Sequence, residues 1–141
     1  MSDRVFVDSN CVLYLFSEDE AGKRTAITNR LENTEPVIPT QVLNEICNVL
    51  IRKFKKGEAE VRERIEDLAE QWECRLVGVP HILDALRIKF RYGFSYFDSL
   101  MLASGLEAQC PVLLTEDLQH NQRIDEKLLI VNPFREDSAT G

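Results

Sequence analysis

The sequence predicts an α/β domain with a mainly parallel central sheet of about five strands. Short apolar runs of strand length alternate with longer stretches of helical periodicity, which favours a parallel sheet covered on both faces. A chain of 141 residues suits one such domain with one core. No internal repeat, low-complexity stretch or linker divides it.

The elements follow in order. Residues 4–7 form an apolar run that ends at Asp8, as a buried strand would. Residues 11–16 are apolar and lead into an amphipathic stretch over about 20–33 that reads as a helix. Pro36-Val37-Ile38-Pro39 is too short for a helix and reads as a second strand. Thr40 offers an N-cap for a helix over about 40–56. Residues 57–73 are rich in Glu and Arg, with Val61, Ile65, Leu68 and Trp72 at helical spacing, so an exposed helix is expected. Residues 75–79 read as a third strand ended by Pro80. Ile82, Leu83, Leu86 and Phe90 then mark a helix over 81–91 that Gly93 breaks. Ser95 starts another helix over about 96–108. Residues 111–115 and 128–131 complete the strands, and the polar tail 135–141 is expected to be disordered, leaving 1–134 as the domain.

Composition excludes several classes. No apolar run approaches the roughly 20 residues that span a bilayer. The start Met1-Ser2-Asp3-Arg4 has no basic-then-apolar leader, and Cys11, Cys47, Cys74 and Cys110 are widely spaced, so a reduced cytoplasmic protein is expected. With only His81 and His120, a His-rich metal site is excluded. The net charge of −7 counts against a simple DNA-binding module. It suits a protein that gathers carboxylates around a cation, or one that pairs with a basic partner.

Four carboxylates invite that reading, and each also has a structural one. Asp8 follows the first strand, where Asp equally serves as a helix N-cap, and alone that account is preferred. Glu45 flanks the apolar arc of Val42, Leu43, Ile46, Cys47, Leu50 and Phe54, where a solvated Glu is ordinary. Asp98 could close a capping box with Ser95. Its helix is apolar on nearly every side, however, and a carboxylate there is costly unless it meets a donor or a cation. Asp117 follows the fourth strand and could cap a short helix. Two acids after two parallel strands share one rim of a sheet, the place where α/β proteins bind ligands. The set is a stronger signal than any member.

These residues resemble a known pattern. Val5-Phe6-Val7-Asp8-Ser9-Asn10, Pro39-Thr40-Gln41-Val42-Leu43-Asn44-Glu45, Phe94-Ser95-Tyr96-Phe97-Asp98-Ser99-Leu100 and Leu113-Leu114-Thr115-Glu116-Asp117-Leu118 resemble the four acidic motifs of PIN-domain nucleases. The stretch to His120, followed by Ile130-Val131-Asn132-Pro133-Phe134, is similar to the VapC-type toxins of bacterial toxin–antitoxin pairs. The resemblance runs from about Arg4 to Phe134. It implies a three-layer α/β/α domain whose acids Asp8, Glu45, Asp98 and Asp117 hold Mg²⁺ or Mn²⁺ and hydrolyse RNA phosphodiesters. It implies support from Asn10 and Thr115, and leaves open whether Glu116 shares the role of Asp117. It further implies a homodimer silenced by an antitoxin, here expected to be basic.

Oxygen ligands of this kind suit Mg²⁺ or Mn²⁺. Two cation groups could hold the RNA backbone: Arg52, Lys53, Lys55 and Lys56, or Arg87, Lys89 and Arg91. Both could equally be solvated helix ends. A haloacid-dehalogenase-like phosphatase would need a second Asp where Asn10 stands. The remaining alternatives are a non-catalytic PIN-like module that binds RNA or protein, a housekeeping PIN nuclease without antitoxin, and a nuclease acting on DNA.

Overall fold

The computed structural model describes residues 3–135. The strands are β1 (Asp3–Val7), β2 (Thr34–Pro39), β3 (Glu73–Arg75), β4 (Val112–Leu114), β5 (Arg123–Ile124) and β6 (Leu128–Val131). The helices are α1 (Ser9–Leu15), α2 (Ala21–Leu31), α3 (Thr40–Arg52), α4 (Glu58–Gln71), α5 (Val79–Tyr92) and α6 (Tyr96–Glu107). The sheet order is β3-β2-β1-β4-β6-β5, parallel except for β5. From β1 the chain steps outward to β2 and β3, then returns to β4 on the other side of β1. Right-handed crossovers therefore put α1–α4 on one face and α5–α6 on the other, giving three layers. The strand order reverses between β1 and β4, which makes that pair the switch point of the sheet.

Val5, Phe6, Val7, Leu113, Leu114, Ile130 and Val131 are buried, as strands covered on both faces must be. Helix α6 is buried from Ser99 to Gly105. It lies close on the sheet because Gly105 has no side chain; a Cβ there would stand 3.3 Å from both Phe6 and Leu128. At the opposite end from the switch point's carboxyl rim, Arg4 grips both oxygens of Glu73 and the Ala108 carbonyl, joining β1, β3 and α6. Cys11 and Cys110 are buried and Cys47 and Cys74 half-buried, all as free thiols.

Several boundaries differ from expectation. Residues 11–15 belong to a helix, α1, that Asp8 caps through the Ser9 amide at 2.7 Å, with Phe16 as its C-cap. Helix α3 ends at Arg52 rather than near 56, and Lys55 beyond it adopts a left-handed φ of 56°. The third strand occupies Glu73–Arg75 instead of 75–79. Pro80 sits in the first turn of α5, where its missing N–H is not needed, so it starts a helix instead of ending a strand. The sheet has six strands, not five, β5 having been unforeseen. The expected disordered tail lies outside the described residues apart from Arg135.

Candidate functional site

Asp8 stands at the end of β1 and Thr115 at the end of β4, side by side at the switch point. The Asp8 amide donates to the Leu114 carbonyl at 3.0 Å and so continues the ladder by one residue. The Asp8 carboxylate accepts from the Ser9 amide on Oδ1. On Oδ2 it accepts from the Thr115 hydroxyl at 2.8 Å and, at the longer distance of 3.4 Å, from the Asn10 amide. Asn10 Nδ2 also donates to Asp117 Oδ2 at 2.8 Å, tying the two acids together through one side chain. Thr115 Oγ1 accepts from the Asp117 amide at 3.2 Å, which fixes the turn that carries Asp117.

Glu45 comes from the exposed flank of α3. Its oxygens accept from the Ser9 hydroxyl at 2.5 Å and from Gln41, one turn earlier, at 3.3 Å. Burial pushes the Asp8 carboxyl up to about 6, and the charges of Glu45 and Asp117 push it the same way. The Thr115 and Ser9 donors pull against that rise without cancelling it. Asp8, Glu45 and Asp117 thus form one electrostatic group, and among the described residues none of their hydrogen bonds comes from a Lys or an Arg.

Asp98 sits in the first turn of α6. Ser95 caps its amide at 3.2 Å, but no bond returns from the Asp98 carboxylate to Ser95, so the capping box is only half formed. Among the described residues, no shared donor links that carboxylate to the other three acids. Glu116 faces away from the group: it accepts from the Tyr14 hydroxyl at 2.6 Å and pairs with Lys23 at 3.1 Å. Lys23 in turn lies over the rings of Tyr14 and Phe134. Ser9, Gln41, Tyr14 and Lys23 were not foreseen as partners of these acids. The spacing of Gln41 and Glu45, four apart on one helix, was a readable signal; the Tyr14–Lys23–Glu116 contact spans about a hundred residues and was not.

Among the described residues, no group of three or more His, Cys, Asp or Glu stands close enough to ligate one ion together. A hydrated Mg²⁺ does not require that, since one or two carboxylates and several waters suffice. The residues fit such a cation. The acids are hard oxygen donors with neutral partners only, and their mutual repulsion is uncompensated. Asn10 Oδ1 is buried and accepts from no described donor, leaving an acceptor for a water at the same place.

A doubly wound α/β domain with acids gathered at its switch point is the class that fold and site define. The chain belongs to the PIN domain family, whose pattern matches residues 5–126. No curated protein sequence matches the chain. Among solved structures, it is similar to a toxin–antitoxin complex from Klebsiella pneumoniae, with TM-score 0.70 and 17% identity over 92% of this chain and 98% of that one. It is similar to VapBC2 from Rickettsia felis bound to a promoter DNA fragment, with TM-score 0.66 and 12% identity over 90% and 96%. It is also similar to VapC20 from Mycobacterium tuberculosis, a toxin that cleaves the sarcin–ricin loop, with TM-score 0.59 and 18% identity over 77% and 86%. At these identities the likeness establishes the fold.

Proposed function

We propose that this chain is a Mg²⁺- or Mn²⁺-dependent endoribonuclease and the toxin of a type II toxin–antitoxin pair, acting in the cytoplasm through one nuclease domain over 1–134. Asp8, Glu45, Asp98 and Asp117 are its acids, with Asn10 and Thr115 supporting them. The observation that carries this reading is Asp8 itself. A half-buried carboxylate at the switch point, flanked by two like charges and given no cation by the described residues, is costly unless a cation arrives.

Asp8 and Asp117 would hold the metal, with Glu45 close by. When bound, it would lower the pKa of a water and neutralise charge building on the phosphate oxygens. Thr115 and the Ser9 amide aim the Asp8 carboxylate. Asn10 keeps Asp117 in register with it. Ser9 and Gln41 hold Glu45 from both sides. Asp98, with no hydrogen bond from the described residues to its carboxylate, would accept one from the attacking water and orient it.

The antitoxin reading is supported by the net charge of −7 and by neighbours that are themselves toxin–antitoxin complexes. A basic partner would place an Arg among the acids in place of metal. Homodimer formation is supported by the apolar side chains that α5 leaves exposed. The deciding experiment is RNA cleavage by nuclease-free preparations of the wild type and Asp98→Asn. Mg²⁺ or Mn²⁺ should support cleavage by the wild type only, and EDTA should abolish it; undiminished cleavage in EDTA would sink the metal mechanism.

A further inference from the structure

An acidic protein that cuts RNA must still hold a polyanion, and several of its surface cations are committed to carboxylates. Arg4 pairs with Glu73, Arg75 with Glu107, Arg62 with Glu58 and Lys56 with Glu60. Of the two cation groups singled out in the sequence, the one on α5 has two of its three members engaged by hydrogen bonds. Arg87 is clamped between Asp84 and Asp125, Lys89 donates to the Phe94 carbonyl, and Arg91 lies over the Tyr92 ring. The group at the end of α3 differs. Arg52, Lys53 and Lys55 are exposed and pair with no carboxylate among the described residues; Lys53 only rests over the Phe54 ring at 5.6 Å. With Asn48 and Val49 they line a depression of about 450 Å³.

Helical geometry connects that depression to the acids. Gln41, Glu45, Asn48 and Arg52 recur at intervals of four, three and four, so they share one face of α3. That face is partly or fully exposed along its length. Arg52 lies two turns, about 10 Å, beyond Glu45 along the axis. At about 3.4 Å per stacked nucleotide, this spans roughly three. The helix dipole favours cations at a carboxyl end, but it does not require them on the Glu45 face, and Lys55 lies past the helix altogether.

We infer that the exposed face of α3 is the track of the RNA strand, with Asn48, Arg52, Lys53 and Lys55 holding the phosphodiester backbone on one side of the acids. The inference rests on the nuclease reading for its substrate. Because phosphates are contacted and not base edges, this segment of the track is indifferent to sequence.

The test measures binding and cleavage separately. Anisotropy of a labelled single-stranded oligoribonucleotide of mixed sequence is read in EDTA, so that no cleavage occurs. The variant Arg52→Gln, Lys53→Gln, Lys55→Gln is compared with the wild type and with a charge-matched control, Arg91→Gln, Arg123→Gln, Lys127→Gln. Affinity should fall about tenfold or more in the first variant only, and the slope of log K against log salt should shrink by about two. In metal, KM should rise with kcat kept. Asn48→Asp, which puts a negative charge on the track, should weaken binding in the same direction. Equal losses in the two triple variants would reduce the effect to net charge and overturn the track. So would unchanged RNA affinity, as expected if an acidic protein segment occupies the patch, or a wild type that binds no RNA in EDTA. Loss of metal-dependent cleavage in the wild type would instead sink the nuclease reading, whatever the binding data gave.

Discussion

Asp8 is asked to be half-buried, charged and close to two other acids, and those demands conflict. Its carboxyl is raised from 3.8 to about 6 first by burial and then by Glu45 and Asp117. Between those values the folded state holds the proton that the unfolded state releases, so stability falls as pH rises from about 4 to 6 and stays lower above that. The cost at neutral pH is on the order of 3 kcal/mol. In EDTA, the melting temperature should therefore be higher near pH 5 than near pH 7, and Asp8→Asn should flatten that slope. Mg²⁺ should raise the wild-type melting temperature at pH 7, and much less that of Asp8→Asn. Glu73, Glu107 and Asp125, held low by the Arg4, His81 and Arg87 contacts respectively, act in the opposite sense. Their contribution is lost only as pH falls below the ordinary carboxylate range, so the two effects separate. A wild type whose metal-free stability rises steadily from pH 5 to 7 would contradict this account of Asp8. The neighbouring acids divide in the same way. Asp117 shares Asn10 with Asp8, whereas Tyr14 and Lys23 claim Glu116. Asp117→Asn should abolish cleavage, while Glu116→Gln should keep most of it and lose up to about 1 kcal/mol of stability, as part-exposed ion pairs do. Comparable loss of cleavage in both variants would mean that the two acids share one role.

Elements with strong periodicity or a hard boundary were legible in the sequence, and those set by distant contacts were not. β6 falls on 128–131 as read, and Ser95 caps α6 as read, because a continuous apolar run and a side-chain cap are local signals. All four acids were nominated from their place after strands or in helices. Grouping Asp8 with Asp117 needed the strand order, since only adjacency of β1 and β4 puts Asp8 beside Thr115. β5 was missed for a physical reason. It is two residues long, and its hairpin turns on Asp125 and Glu126, both at positive φ, closed by the Lys127 amide on the Ile124 carbonyl. Such a turn favours Asn-Gly, so Asp-Glu does not announce it. What holds it is tertiary: Arg87 grips Asp125 with two nitrogens and the Tyr92 hydroxyl accepts from its amide. Glu126 remains at a φ of 59° with no such help. Glu126→Gly should therefore stabilise the protein by about 0.5–1 kcal/mol, the relieved left-handed strain outweighing the added freedom of the unfolded chain. Calorimetric melting that shows a net loss would mean the turn is not strained at that residue.

At the scale of the molecule, α5 presents an unsolved surface. Val79, Leu83, Leu86 and Phe90 recur at intervals of four, three and four, and they are 66%, 62%, 41% and 82% exposed. The sequence marks Leu83, Leu86 and Phe90 at helical spacing and reads Val79 as the end of a strand, yet Ala85 and Ile88 are what α5 buries. The helix is therefore apolar on two faces, one turned inward against α6 and one turned to water. A contiguous apolar stripe of this kind is costly in a lone soluble domain. The four-three-four spacing is that of a helix seam, so two copies of α5 related by a two-fold axis can bury it against itself. Phe97, 66% exposed and next to Asp98, adds a further exposed apolar side chain on α6, the helix packed against α5. The protein should run as a dimer by light scattering. Leu83→Glu with Phe90→Glu should give a monomer of unchanged far-ultraviolet dichroism, since neither side chain is buried in the single chain. If that variant still dimerises, the partner copy docks elsewhere; if the wild type is monomeric at high micromolar concentration, the stripe is not a self-association surface. Cleavage measured on the monomeric variant then separates two roles for the stripe. Retained activity makes dimerisation a matter of solubility, and lost activity with metal binding intact makes the neighbouring copy a wall of the RNA path beside Asp98.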